Sequence, residues 1–158
     1  MPRLTNDQCY QVVKPIDLEP IQGGQDRLQF VFVNNGGGNT GTCHVVLADK
    51  FSPALKEFVA NLGLGGTMAR AVLRRLDAGQ GIAPHVDQWM PAEADWRRFQ
   101  IPLVSHPNIK MRWPNDNIEA HLAPGYVYEV RFDRTHEVVN PTDTQRIHLQ
   151  IDQIDATI

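Results

Sequence analysis

Apolar and polar residues alternate over short distances throughout the second half of the chain. From residue 82 onward, apolar runs are separated by turn-forming clusters such as SHPN, WPNDN and NPTDT. This pattern predicts seven short strands, at residues 82–88, 99–104, 109–113, 117–122, 126–132, 136–139 and 146–152. Short strands at such close spacing are typical of a double-sheet barrel or jelly roll.

The first half of the chain contains one clear helical pattern. Ser52 and Pro53 are typical of a helix start, and Gly63 is typical of a helix end. Apolar residues recur between them at helical spacing, at Leu55, Phe58, Val59 and Leu62. We therefore predict a helix over residues 52–62 that packs on one side of a sheet.

Three other segments in the first half have strand-like character. Residues 28–33 and 43–48 are apolar runs on either side of the glycine- and asparagine-rich stretch 34–42, which predicts a hairpin-like loop. Thr67–Leu76 fits both a helix and a strand. Its periodicity alone leaves the two alternatives open.

Composition narrows the class of protein. The chain has 158 residues, of which 42% are apolar and 21% charged, so we expect one domain over residues 1–158 with a buried core. A net charge of −3 without long basic runs argues against nucleic acid or an anionic membrane as a partner. The polar start of the chain lacks the apolar core of a secretory signal, and we expect a cytoplasmic protein.

His85 and Asp87, in the stretch GIAPHVDQWM, are the first pair with the spacing of metal ligands. Residues i and i+2 of a strand point to the same side, about 6–7 Å apart, so an imidazole and a carboxylate can converge there on one ion. The alternative is an ordinary polar face of a strand. Because two ligands hold a metal poorly, a metal site requires a third ligand from elsewhere in the fold.

His136 is the best-placed third ligand, and Arg146 follows it ten positions later. Iron sites with two histidines and one carboxylate leave positions open for oxygen and a chelating co-substrate. The distal carboxylate of 2-oxoglutarate needs a charge-assisted donor, which Arg146 can provide. Among the other histidines, His106 lies in a turn. His148 alternates with Arg146 and Gln150 on a strand face that is either solvated or lines a pocket.

Taken together, these segments resemble the aspartyl/asparaginyl β-hydroxylase family of Fe(II)- and 2-oxoglutarate-dependent dioxygenases. The matching pieces are, in order, LDAGQGIAPHVD, RRFQIPL, LAPGYVYEVRFDRTHEVVN and RIHLQID. They lie within a metal-binding core of about residues 68–152. The resemblance implies a mostly β fold, the cupin-like jelly roll called a double-stranded β-helix, with one or a few bracing α-helices. It also implies that residues 68–76 form a strand.

The resemblance assigns roles to individual residues. It implies Fe(II) ligation by His85, Asp87 and His136, with 2-oxoglutarate and O2 as co-substrates. Arg146 would then bind the carboxylate of 2-oxoglutarate, and Arg98 would be a second co-substrate contact facing the site.

Three further residues have less definite roles. Gln100 stands where the family often has histidine, which puts one co-substrate contact in question. Arg74 would compensate if its strand turns that side chain inward, whereas the alternative is a solvated surface arginine. Trp89, after the His-x-Asp pair, is a candidate wall of the substrate pocket.

The predicted function is hydroxylation of an amino acid, a peptide side chain or a related small molecule by an Fe(II)- and 2-oxoglutarate-dependent dioxygenase. The sequence alone leaves two alternative functions open. One is a cupin-like metal enzyme that does not use 2-oxoglutarate, although Arg98 and Arg146 argue against it, since such an enzyme needs no carboxylate clamp. The other is a non-catalytic β-sandwich binding module with His85 and Asp87 on a solvated face.

Overall fold

The computed structural model describes residues 2–22, 33–34, 43–87 and 95–154. Their strands are β1 (Tyr10–Pro15), β2 (Val33–Asn34), β3 (Cys43–Leu47), β4 (Thr67–Leu76), β5 (Ile82–His85), β6 (Trp96–Val104), β7 (Lys110–Trp113), β8 (Ile118–Ala120), β9 (Tyr126–Val130), β10 (His136–Val139) and β11 (Arg146–Ile154). The α-helices are α1 (Asn6–Cys9), α2 (Glu19–Gln22) and α3 (Pro53–Ala60). Single 3-10 turns occur at Ala48–Lys50 and Pro114–Asp116.

The strands form two antiparallel sheets. The larger sheet has the order β1-β9-β6-β11-β4-β3-β2, and the smaller one has the order β5-β10-β7-β8. Several neighbours in the sheets are distant in sequence, as the pairing of β11 with both β4 and β6 shows. This arrangement confirms the predicted mostly β jelly roll.

The ambiguous segment Thr67–Leu76 is a strand. It lies between β11 and β3 and forms ladders with both. Its apolar residues alternate between two cores, since Leu73 belongs to the cluster beneath α3 and Val72 to a cluster on the opposite face. The strand implied by the family resemblance is therefore confirmed.

The predicted helix is also present as α3. Ser52 caps it, because its Oγ accepts a hydrogen bond from the backbone N–H of Leu55 at 3.2 Å. The helix buries Leu55 and Phe58 in the largest apolar cluster, on the outer face of the larger sheet. It therefore covers that face and leaves the inner face to the second sheet.

The inner face of the larger sheet is apolar at its flanks and polar in the middle. Tyr128 of β9 belongs to one apolar cluster and Val72 of β4 to another. The strands between them, β6 and β11, carry buried polar side chains, namely Arg98, Gln100, Arg146, His148, Gln150 and Asp152. Buried polar groups need hydrogen-bonding partners. A cluster of them on one sheet face therefore indicates a candidate functional site.

Several local predictions differ from the structure. The strand predicted over residues 82–88 ends at His85, so Asp87 lies beyond it and donates its backbone N–H to Phe132 O at 3.4 Å. Strand β1 and helices α1 and α2 were not predicted, because they are short and have weak periodicity. Of the predicted strand 28–33, residues 28–32 lie outside the described part. None of the helices that the structure describes is long and apolar enough to span a membrane.

Candidate metal centre

The structure brings His85, Asp87 and His136 together. The two histidines are register partners on β5 and β10, and their ring centroids are 4.4 Å apart. Asp87 reaches both, with Oδ1 at 3.5 Å from His85 Nε2 and Oδ2 at 3.4 Å from His136 Nε2. One ligand atom from each of the three residues lies within 4.8 Å of the others. This spacing allows all three to reach a single ion.

Backbone carbonyls determine which nitrogen each histidine presents. His85 Nδ1 lies 2.9 Å from Ala83 O, and His136 Nδ1 lies 2.7 Å from Arg134 O. Because a carbonyl oxygen only accepts, each Nδ1 carries a proton, and each ring turns its Nε2 toward Asp87, where this nitrogen can bind a metal ion. Two neutral imidazoles and one carboxylate are the donor set of non-haem Fe(II) sites, so these residues fit that metal.

Asp87 is the anionic member of the site. Burial by itself raises the pKa of Asp87, but the contacts with His136 and His85 and the charge of Arg98 outweigh it and bring the pKa well below its usual value. The contact with Asp87 in turn raises the pKa of His85. The carboxylate is therefore ionised and suited to hold a cation.

Arg98 lies between two carboxylates. Its Nη1 donates to Asp87 Oδ2, and its Nε and Nη2 donate to Asp152 Oδ1 and Oδ2 at 2.7 and 3.2 Å. Its guanidinium also lies 5.0 Å from the ring centroid of Phe132. Burial by itself lowers the pKa of Arg98, but Asp152 and Asp87 raise it above its usual value. Arg98 therefore faces the site as expected, and the contact visible there is with the metal-ligand carboxylate.

Gln100 and Arg146 are both buried on the same inner face. The amide of Gln100 bonds to two side chains of β11, Gln150 and His148. Arg146 begins β11, two residues before His148. The structure thus places both predicted residues on the inner face, and their contact with a co-substrate stays a prediction.

Arg74 lies on the inner side of β4, opposite His148 in the register. Arg70 shares this side and pairs in the register with Asp152. Burial and the charge of Arg74 lower the pKa of Arg70. Arg70 was not among the predicted residues, although it shares a strand face with Arg74 and Val72 by alternation. Trp89, the predicted pocket wall, lies outside the described residues.

Other site residues were also missed, and for different reasons. Gln150 and Asp152 follow the same alternation as Arg146 in RIHLQID, so a pattern signal was present. The carbonyls of Ala83 and Arg134 act through the backbone, and no side-chain pattern identifies such groups. His148 was left open between a solvated face and a pocket, and the structure buries it, with 2% of its surface exposed.

Gly81 permits the close approach of β5 and β10. A Cβ at this position would lie 2.5 Å from Val138 O. We expect Gly81→Ala to separate the two strands, which lowers stability by about 1–3 kcal/mol and weakens metal binding because His85 moves away from His136. Urea unfolding and a Co(II) titration measure the two effects.

Gly79→Ala is the matched control for that variant. Gly79 has a φ of +77° but nothing within 4 Å of the added Cβ. Its substitution therefore introduces backbone strain of about 1–3 kcal/mol without pushing the strands apart. Equal Co(II) affinity in the two variants would contradict the role assigned to Gly81.

A jelly roll that brings two histidines and one carboxylate together has the arrangement typical of a non-haem metal enzyme of the cupin type. The family model for aspartyl/asparaginyl beta-hydroxylase matches residues 26–155. The chain belongs to this family, and it is therefore an enzyme of the Fe(II)- and 2-oxoglutarate-dependent hydroxylase type. The match begins well before residue 68, where the resemblance found in the sequence began. No curated protein sequence matches the chain.

The chain is similar to several solved structures at low sequence identity. A prolyl-4-hydroxylase from Pseudomonas putida is 15% identical, with a TM-score of 0.50 over 72% of this chain and 70% of that chain. A viral collagen prolyl hydroxylase from Paramecium Bursaria Chlorella virus-1, solved as a 2-oxoglutarate complex, is 11% identical, with a TM-score of 0.49 over 74% and 81% of the two chains. A cupin domain from Bordetella pertussis Tohama I is 19% identical, with a TM-score of 0.43 over 60% and 88%.

Proposed function

We propose that the chain holds Fe(II) with His85, Asp87 and His136 and uses 2-oxoglutarate and O2 to hydroxylate an amino acid, a peptide side chain or a related small molecule in the cytoplasm. The observation that carries this proposal is the convergence of the three ligand atoms within 4.8 Å. Bound iron and its co-substrates would supply the oxidising chemistry that protein side chains lack. Family membership supports a hydroxylating enzyme over a non-catalytic binding module.

The protein contributes the orientation of the ligands. The carbonyls of Ala83 and Arg134 keep both Nδ1 protons away from the site, so that each ring presents its Nε2 to the proposed metal position. Arg98 donates to one oxygen of Asp87 and restrains the carboxylate. Because Arg98 is itself held by Asp152, this restraint does not depend on a bound ligand.

Arg146 is the proposed partner of the distal carboxylate of 2-oxoglutarate. It is a permanently charged group, 4% exposed, on the inner face of β11. A guanidinium can bind a carboxylate through two parallel hydrogen bonds, which are stronger in a buried setting. Arg98, Gln100 and Arg74 are proposed as further co-substrate contacts, and Trp89 as a wall of the substrate pocket.

The first test adds Fe(II) and then 2-oxoglutarate under anaerobic conditions. We expect the visible charge-transfer band of the chelate to appear only after the second addition. Absence of the band would contradict the proposed function. Iron binding that does not respond to 2-oxoglutarate would favour a cupin-like enzyme with a different co-substrate.

Arg146→Ala tests the co-substrate contact. We expect unchanged Fe(II) affinity and weaker 2-oxoglutarate binding, by about 10- to 150-fold, the effect of losing a hydrogen-bonded charged partner. Arg112→Ala is the control, because Arg112 is 42% exposed at its side chain and pairs with Glu119 on the smaller sheet. The charge-transfer band measures the affinity for 2-oxoglutarate. If this affinity is the same in the Arg146→Ala and Arg112→Ala variants, the assignment of Arg146 is wrong.

A further inference from the structure

A row of hydrogen bonds joins four buried side chains on the inner face of the larger sheet. His148 Nδ1 lies 3.0 Å from Gln100 Oε1, and Gln100 Nε2 lies 3.2 Å from Gln150 Oε1. Gln150 Nε2 then lies 3.3 Å from Asp152 Oδ2. All four residues are at most 6% exposed. We call this set the polar row.

The carboxylate of Asp152 determines the direction of every bond in the polar row. Asp152 pairs with Arg98, so it is ionised and can only accept. Gln150 must therefore present its Nε2 to Asp152, which leaves its Oε1 to accept from Gln100. The Oε1 of Gln100 then remains for His148, which must donate from Nδ1. Reversing the amides would bring two acceptor oxygens together at Asp152.

The other nitrogen of His148 is consequently a lone pair. Nε2 lies on the far side of the ring from Gln100. Burial, together with the charges of Arg146 and His121, lowers the pKa of His148 well below its usual value, so the ring is neutral. A neutral acceptor is the form of histidine that stabilises a buried guanidinium, whereas a protonated ring would repel it.

Arg146 is the cation whose charge acts most strongly on His148. It precedes His148 by two residues in β11, so both side chains point to the inner face. Both are also nearly completely buried, at 4% and 2% exposed. A buried guanidinium needs hydrogen-bond acceptors that fix the orientation of its plane. A carboxylate at the position of His148 would neutralise the charge of Arg146, whereas a neutral imidazole leaves that charge available.

We propose that His148 is a positioning residue: the polar row sets its Nδ1-protonated tautomer, and its Nε2 accepts from Arg146 and orients that guanidinium toward the co-substrate carboxylate. The last step rests on the proposed function, whereas the tautomer does not. Because Nε2 accepts, His148 does not donate to the co-substrate itself. Asp152 thus supports both ends of the pocket, through Arg98 at the metal ligand and through the polar row at Arg146.

The tautomer is measured on the metal-free protein by nitrogen NMR of its imidazoles. We expect His148 to show a protonated Nδ1 and an unprotonated Nε2 at neutral pH, with the signal assigned by its loss in His148→Gln. Gln150→Leu interrupts the polar row and should produce a mixture of tautomers. The turn residue His106 serves as the internal reference in both proteins. A proton on Nε2 in the wild-type protein, or an unchanged tautomer in Gln150→Leu, would overturn the inference.

The positioning role is measured by anaerobic titration of the Fe(II)-loaded protein with 2-oxoglutarate. We expect His148→Leu to weaken 2-oxoglutarate binding about tenfold, the effect of one hydrogen bond to a charged group, with unchanged Fe(II) affinity. His148→Gln should restore the affinity to within about threefold, because glutamine also offers one donor and one acceptor. If His148→Leu binds 2-oxoglutarate as tightly as the wild-type protein does, His148 has only a packing role and does not position Arg146.

Failure of this inference is distinguishable from failure of the proposed function. A wild-type protein that does not bind 2-oxoglutarate would overturn the proposed function and the co-substrate step together. The NMR measurement needs neither metal nor co-substrate and tests the polar row separately.

Discussion

Replacing His136 with alanine is expected to abolish specific metal binding. The substitution removes one of the three proposed ligands, whose donor atoms converge within 4.8 Å. Loss of groups that merely orient ligands costs about 10- to 100-fold in metal affinity, so loss of a ligand itself should cost at least about 100-fold. Titration with Co(II), followed by its visible absorption, measures the affinity directly.

His106→Ala is the control for this prediction. His106 lies in an exposed turn, where its Nδ1 accepts from the backbone N–H of Asn108 at 3.0 Å. Its removal should leave the Co(II) affinity unchanged. If the His136→Ala and His106→Ala proteins bind Co(II) equally tightly, the metal binds at a site that does not include His136.

Asp152→Ala is expected to have the largest effect on stability. Asp152 is completely buried, and it accepts two hydrogen bonds from Arg98, which is 5% exposed. Removing one partner of a buried ion pair leaves an uncompensated charge and costs about 3–5 kcal/mol. The free energy of unfolding in urea measures this loss. Asp87 also loses its restraint, because Arg98 is no longer anchored.

Glu129→Ala is the matched control on the neighbouring strand pair, β6 and β9. Glu129 also forms two hydrogen bonds with an arginine of β6, Arg97, at 2.7 and 3.0 Å, but this pair is partly exposed. Its removal should cost at most about 1 kcal/mol. Equal losses in the two variants would show that burial does not distinguish the two ion pairs.

Much of the fold was predictable because the strands are half buried. A strand with one face on a core alternates, and the turns between such strands need particular residues, so His136–Val139 and its neighbours were recognisable locally. Helix α3 was recognisable by its cap and its apolar stripe. Thr67–Leu76 was not, since its apolar residues serve two cores and satisfy both periods. The segment is a strand because it pairs with β3 and β11.

The structure brings the three predicted metal ligands together, but the strand position expected for one of them was wrong. Asp87 was expected on the same strand as His85, and it lies beyond the end of that strand, where its backbone bonds to Phe132. The His-x-Asp spacing of a metal motif is compatible with either position of the aspartate, because a short loop can also direct a carboxylate to the ion. The strand geometry itself depends on a partner segment more than forty residues away.

The sequence by itself determined the class of fold, the family and the three side chains that the structure brings together, because alternation, turn chemistry and motif order are local properties of the chain. Only the tertiary structure decided the hydrogen-bond partners of the buried polar residues. Arg98 meets Asp152 across 54 positions, and Gln100 meets His148 across 48. Such contacts arise when β6 and β11 become neighbours in one sheet. No pattern within either strand predicts which donor will face which acceptor.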